Sequence, residues 1–325
     1  FPCLLALLLL ACHGSAQPVN AQNRLETLAG DGSVVLHSPE GTVLVSLNER
    51  QALVPASLVK IPLAQVALHT LGEAHRFETL FFRNGDRDLL IRGLGDPFLV
   101  SEEIATIAES LAESGLAQIR RLVVEDSAFE PDVDLPLESG TDQPYGARNS
   151  ALAVNFNTVN LAWNAEGNLI SGEPQTPLTD FARELGARLP AGEAQRVNLG
   201  ADPGASRRQA QQVFRLFLEA SGITVSDTGF YEDTVSNDWS LVYRHQSSVS
   251  LRDTLEGMLR YSNNFIANQL FLTLAAHHAG YPATTDVARR VLQEQLAMLY
   301  GDRFGSNQQT LLMLEGSGLS RAQRS

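Results

Sequence analysis

The chain has 325 residues, 44% of them hydrophobic, and a formal charge of −13. That length gives two or so domains and ample material for a core. Its arginines fall singly or in pairs with no basic stripe, which argues against a nucleic-acid partner.

The chain opens on an apolar run, Leu4 to Ala11, followed by the small residues Gly14-Ser15-Ala16. The run is too short to span a bilayer. It reads as a signal peptide over residues 1–16, clipped at its start and cleaved after Ala16, which sends the mature chain to the periplasm. Leu9-Leu10-Ala11-Cys12 offers a lipobox as the alternative, with a lipid anchor on Cys12. Cys3 and Cys12 both lie in this segment, so the mature chain is expected to have no disulfide. Residues 32–37 and 42–47 read as two strands around Ser38-Pro39-Glu40-Gly41, a hairpin.

The next stretch, Pro55-Ala56-Ser57-Leu58-Val59-Lys60, holds the only lysine; the other 23 basic residues are arginines. Arginine stays charged in a protein, whereas lysine loses its proton when desolvated or crowded by another cation. Leu63, Val66, Ala67 and Leu71 recur at helical intervals, so a helix is expected from about Ser57 to Leu71, stopped by Gly72. Residues three apart share a helix face, so the Lys60 amine can reach the Ser57 hydroxyl. The helix N-terminus disfavours the ammonium form of Lys60. This is the arrangement of an activated nucleophile. Pro62 falls in the first turns, where a missing N–H is tolerated.

Short strands are expected at 79–82 and 89–92, a helix at 102–114 and a strand at 121–125. Residues 131–147, rich in Pro, Gly and Asp, read as a loop. A strand is expected at 152–163, and helices at 179–189 and 209–221. A second helical block starts near Ser250. Leu251, Leu255, Met258 and Leu259 form one amphipathic stripe, and Phe265, Ile266, Leu270, Phe271 and Leu274 another. Tyr261-Ser262-Asn263-Asn264 lies between them, as an ordinary capped turn or as polar groups aimed into a cleft.

Ser57-x-x-Lys60 followed by Ser262-x-Asn264 resembles the signature of penicillin-binding proteins and serine β-lactamases. Four further stretches resemble the DacB-type D-alanyl-D-alanine carboxypeptidase/endopeptidases. They are Leu94-Gly95-Asp96-Pro97, Val124 to Phe129, Tyr145 to Asn157, and Glu315-Gly316-Ser317-Gly318-Leu319-Ser320-Arg321, which is close to Asp-Gly-Ser-Gly-Leu-Ser-Arg. The two catalytic motifs stand roughly two hundred residues apart. That gap is far longer than in a class A β-lactamase and fits the domain this branch inserts between them. The family's third motif, Lys-Thr-Gly, has no counterpart, and the sequence reads as a fragment expected to be impaired by itself.

The resemblance implies an α/β transpeptidase-like domain, an antiparallel sheet flanked by helices and incomplete at its C-terminal end. It is expected to span 17–78 and 240–325, with a mostly β domain inserted at 79–239. It implies that Ser57 attacks the carbonyl between two D-alanines of a peptidoglycan stem peptide and that Lys60 takes its proton. Ser262 relays a proton to the leaving amine, and Asn264 binds the substrate backbone and holds Lys60. The oxyanion would be held by the Ser57 N–H and one N–H of the missing strand. β-Lactam antibiotics would acylate Ser57. No cofactor and no metal is implied. His277-His278 are adjacent and do not face one another, His245 reads as structural, and no Gly-x-Ser-x-Gly elbow is present. The other readings are an atypical serine β-lactamase and a non-catalytic peptidoglycan-binding scaffold with a decayed peptidase domain.

Overall fold

The computed structural model describes residues 18–130, 135, 142–190, 192, 194–200, 202, 204–231, 238–301 and 313–323. The expected signal peptide and most of the 131–147 loop lie outside them. The chain divides into two compact units, 1–53 and 54–325. The first carries helix α1 (Pro18–Ala29) and an antiparallel hairpin of β1 (Val34–His37) and β2 (Val43–Leu47). Its turn is closed by the Ser38 N–H donating to Thr42 O, at 2.8 Å, and Gly41 takes a φ of +87° that favours glycine.

The second unit holds a helical layer and two sheets. The helices are α2 (Lys60–Leu71), α6 (Leu251–Arg260), α7 (Asn264–Ala279) and α8 (Thr285–Tyr300). Between α2 and α6 in sequence come β3 (Arg76–Arg83), β4 (Leu89–Gly93), α3 (Ser101–Glu113) and β5 (Gln118–Glu125). They are followed by β6 (Thr158–Trp163), β7 (Leu169–Ser171), α4 (Asp180–Gly186) and β8 (Gln195–Asn198). Then come α5 (Gly204–Ala220), β9 (Thr224–Phe230) and β10 (Ser240–Ser250).

The larger sheet has the order β10-β3-β4-β5-β9. β3 pairs antiparallel with both β10 and β4, whereas β5 runs parallel to both β4 and β9. Parallel neighbours need crossover connections, and α3 and α5 lie on those paths. Ile104, Ile107 and Leu111 of α3 and Val213, Phe214 and Leu218 of α5 pack with Ile91, Leu122 and Val124 of the sheet. The smaller sheet, β7-β6-β8, is antiparallel and shares a core with Phe181 of α4. The molecule is therefore mixed α/β with sheets flanked by helices.

The helical layer has its own core. α7 is buried along its length from Phe265 to Ala276, as expected of a central helix that is apolar all round. Leu63, Val66 and Ala67 of α2, Leu255 and Met258 of α6, and Leu292 and Leu296 of α8 pack around it. The side chains of Ser250, Asn263 and Thr284 cap α6, α7 and α8, each accepting from a backbone N–H three residues on.

The structure departs from the sequence expectations in several places. The strand expected at 79–82 begins earlier, at Arg76, because pairing with β4 and β10 sets its limits rather than composition. The segment expected as a strand over 152–163 is a strand only from Thr158. Asn155, Phe156 and Asn157 take φ of +48°, +60° and +50°, which interrupts extended backbone. Strands β7, β8, β9 and β10 and helices α1 and α8 have no counterpart among the expected elements.

Leu94-Gly95-Asp96-Pro97 makes a close turn at the end of β4. A Cβ on Gly95 would lie 2.5 Å from Phe129 Cζ, and Gly95 sits at φ +94°. Asp96, 2% exposed, accepts the Phe98 N–H at 2.8 Å. Nearby, Glu103 of α3 and His245 of β10 form a buried contact of 2.7 Å, and Ser248 donates to the same carboxylate. Burial opposes ionisation of Glu103, but the hydrogen bonds from His245 and Ser248 outweigh it and lower its pKa.

Burial pushes the Asp96 carboxyl up from 3.8 to about 6, against the pull of the Phe98 N–H. A carboxyl that holds its proton more tightly when folded loses stability as pH rises from its unfolded to its folded pKa. The loss is complete above about 6. Asp96→Asn, which cannot ionise, is therefore expected to gain on the parent as pH rises from 3.8 to above 6. Urea unfolding should read a gain of about 3 kcal/mol. Parallel stability curves for the two proteins across that range would count against it.

Candidate active site

Ser57 lies in a single 3-10 turn, Ala56–Val59, that leads straight into α2. Pro55 precedes the turn and accepts the Leu58 N–H at 3.1 Å, and Ala56 is held at φ +47°. This bend leaves Ser57 exposed and turns Lys60 inward, where only 1% of its surface is accessible.

The buried Lys60 Nζ has three oxygen partners. They are Ser57 Oγ at 3.0 Å, Asn264 Oδ1 at 2.9 Å and the Ser317 carbonyl at 2.6 Å. An ammonium has three N–H donors, enough for all three. A neutral amine has two N–H donors and a lone pair. Asn264 Oδ1 and the Ser317 carbonyl can only accept, whereas the Ser57 hydroxyl can either accept or donate. The arrangement therefore satisfies both forms, and in the neutral form the lone pair faces Ser57. Burial lowers the Lys60 pKa from 10.5 to about 8, opposed by the negative charge of Glu315. A base poised near the operating pH is what proton abstraction requires.

Asn264 opens α7, next to the capping residue Asn263. Ser262 sits at the same α6–α7 junction, exposed, at φ +50°. The junction is thus both a capped turn and a source of site residues. Ser57, Lys60 and Asn264 come together; among the described residues no hydrogen bond joins Ser262 to Ser57 or Lys60.

The stretch Glu315 to Arg321 supplies what motif reading missed. Its Ser317 carbonyl is the third partner of Lys60. Glycines let the loop come close. A Cβ on Gly316 would lie 2.5 Å from Ala267 O, and one on Gly318 2.0 Å from Ala56 O and 2.8 Å from Ser57 N. Gly318 is also at φ +91°. The loop therefore rests on the backbone of the turn that carries Ser57 and on α7. The sequence signal was an acidic residue within a Gly- and Ser-rich stretch.

The other candidates lie elsewhere. His245 is buried against Glu103. His277 and His278 occupy the last turn of α7, at the opposite end from Asn264. Among the described residues no group of three His, Cys, Asp or Glu is arranged to hold a metal ion, and no helix is long and apolar enough to cross a membrane.

Known proteins share this architecture. The D-alanyl-D-alanine carboxypeptidase of Actinomadura sp. (strain R39) is 29% identical over 341 residues, covering 90% of this chain and 62% of its own length. The chain thus spans less than two thirds of that relative. The D-alanyl-D-alanine carboxypeptidase DacB of Haemophilus influenzae is 23% identical over 89% of this chain and 67% of its own length. The crystal structure of penicillin binding protein 4 (dacB) from Haemophilus influenzae superposes with a TM-score of 0.73 at 19% identity. It covers 93% of this chain and 74% of that one, and at this identity it speaks for the fold. Residues 17–195 and 186–324 match the D-Ala-D-Ala carboxypeptidase 3 (S13) family, and with nearly the whole sequence accounted for, the chain belongs to that family.

Proposed function

We propose that the protein is a serine D-alanyl-D-alanine carboxypeptidase/endopeptidase that acts on peptidoglycan stem peptides and is acylated by β-lactams. The observation that carries this reading is the buried Lys60 amine, held between Ser57 Oγ, Asn264 Oδ1 and the Ser317 carbonyl. The names of its relatives, D-alanyl-D-alanine carboxypeptidases and a penicillin binding protein, support the substrate and the inhibitor class.

In this reading Ser57 Oγ attacks the carbonyl carbon of the penultimate D-alanine while its proton passes to neutral Lys60. The C–N bond breaks, and the leaving D-alanine amine takes a proton delivered through Ser262. Water then attacks the ester on Ser57 and releases the shortened peptide as its acid. Asn264 holds Lys60 and binds the substrate backbone. The peptidase machinery belongs to the helical layer, with the sheet-centred region between α2 and α6 as the insertion. Two hydrophobic cores, one centred on the helices and one on the larger sheet, support that division, with Phe77, Phe129 and Ala151 of the intervening region packed into the helical one. Signal-directed export to the periplasm is part of the same proposal.

Labelling with a reporter penicillin, read by mass spectrometry on the full-length protein, is expected to place one adduct on Ser57. Ser57→Ala should remove it. A folded protein that takes no adduct would overturn the assignment.

The pH profile follows from Lys60. The amine must be neutral to accept the Ser57 proton, so acylation should rise with pH through about 8 and level off above it. Lys60→Arg, which cannot deprotonate, should acylate about 1,000-fold more slowly. A rate flat from pH 6 to 10 would separate acylation from Lys60 ionisation.

A further inference from the structure

Glu315 is 0% exposed, yet it carries a carboxylate. Five donors of its own loop converge on it. The backbone N–H groups of Ser317, Gly318 and Ser320 donate at 2.6, 2.7 and 3.2 Å. The Ser317 hydroxyl and the Gln323 amide donate as well. Backbone donors aimed at one carboxylate fold the loop around it, much as successive N–H groups enclose an anion. The Gly318 N–H lies in the same peptide plane as the Ser317 carbonyl, so anchoring it, with the N–H and hydroxyl of Ser317 held as well, fixes the carbonyl that meets Lys60. The loop is pinned from outside too. The Gly316 N–H donates to Asn268 of α7 at 2.9 Å, and Gly318 abuts Ala56 and Ser57.

We infer that Glu315 is a positioning residue for the Ser57–Lys60 pair, holding the Ser317 carbonyl against the Lys60 amine and setting the local charge that the amine feels. The inference builds on the reading of Ser57 as nucleophile and Lys60 as base. Among the described residues Glu315 makes no hydrogen bond to Ser57, Lys60 or Asn264.

Two consequences pull in different directions, which makes them separable. As an organiser, Glu315 keeps one N–H of the neutral amine engaged with Ser317, which helps aim the lone pair at Ser57. As an anion, it favours the ammonium form and so opposes the effect of burial. The other partners of Lys60, namely Ser57, Asn264 and the Ser317 carbonyl, are uncharged. Removing the Glu315 charge should therefore slow the step and shift its pH dependence toward acid. A residue that only held the fold together would do neither per folded molecule.

The test is the rate of Ser57 acylation by a reporter penicillin between pH 5 and 10, on the full-length parent, Glu315→Gln and Glu315→Asp. Rates are normalised to the folded fraction from circular dichroism. In Glu315→Gln the plateau is expected to fall about 10- to 100-fold, and the acidic limb to move to lower pH. Glu315→Asp keeps the charge on a shorter side chain. Its limb should stay at the parental pH, with a plateau between the other two. If Glu315→Gln does not fold, Glu315→Asp carries the test: a lowered plateau with an unmoved limb supports the inference, and a parental plateau overturns it. A Glu315→Gln profile that superposes on the parent, even with a lowered melting temperature, also overturns it. An unlabelled parent is a different failure, because it removes the nucleophile assignment and not the role of Glu315.

Discussion

The site depends on keeping one amine dry. A lysine side chain in water is an ammonium, and an ammonium cannot take a proton from serine. Burying it makes the charged form costly, but a buried polar group left without partners destabilises the fold. The protein meets both conditions by surrounding Lys60 with three oxygens and little water. Two of them accept from either protonation state, and the third, the Ser57 hydroxyl, can accept or donate. Much of the surrounding structure can be understood as what is needed to bring those oxygens to one point.

Each oxygen comes from a different kind of element. Ser57 comes from a tight turn whose backbone is bent before α2 begins. Asn264 comes from the first residue of the most buried helix, whose position is fixed by apolar packing along its whole length. The Ser317 carbonyl comes from an irregular loop with no regular secondary structure. A loop of that kind, buried, would expose unpaired backbone groups unless something inside it served as a partner. Glu315 is that partner, and glycines at 316 and 318 let the wrapped loop settle onto α7 and the Ser57 turn. Rigid packing, capping and an internal anion thus contribute to a single contact.

How much of this could be read beforehand depended on distance along the chain. The Ser57–Lys60 contact follows from helical spacing alone, and α2, α6 and α7 follow from apolar residues recurring with a helical period. Asn264 was legible through resemblance, because nothing local says which helix its turn will face. The Ser317 carbonyl was not legible, since a backbone oxygen leaves no mark on residue type. In β10 the inward positions include His245 and Ser247, which make polar contacts, so no hydrophobic alternation announces the strand. Leu152, Ala153 and Val154 misled in the opposite direction. They are buried, as a strand's would be, but Asn155 and Asn157 spend their side chains on Ser101 and Arg148 and hold the backbone out of the extended region. α8 carries a clear stripe at Ala288, Val291, Leu292 and Leu296 that composition and motifs did not draw out.

The contacts of Lys60 also say when in the life of the chain the site can exist. Its partners lie 3, 204 and 257 residues away in sequence. Loops of such length close slowly, because their entropy must be overcome before any contact rewards it. A nascent chain emerges from its N-terminal side, so Ser57 and Lys60 appear long before Asn264, and the Glu315 loop later still. Until that loop docks, the lysine has lost a carbonyl partner and the covering that Gly316 and Gly318 allow. Ser57 is therefore synthesised early, but its surroundings are completed late. Topology alone thus delays the full set of Lys60 contacts until folding is nearly complete.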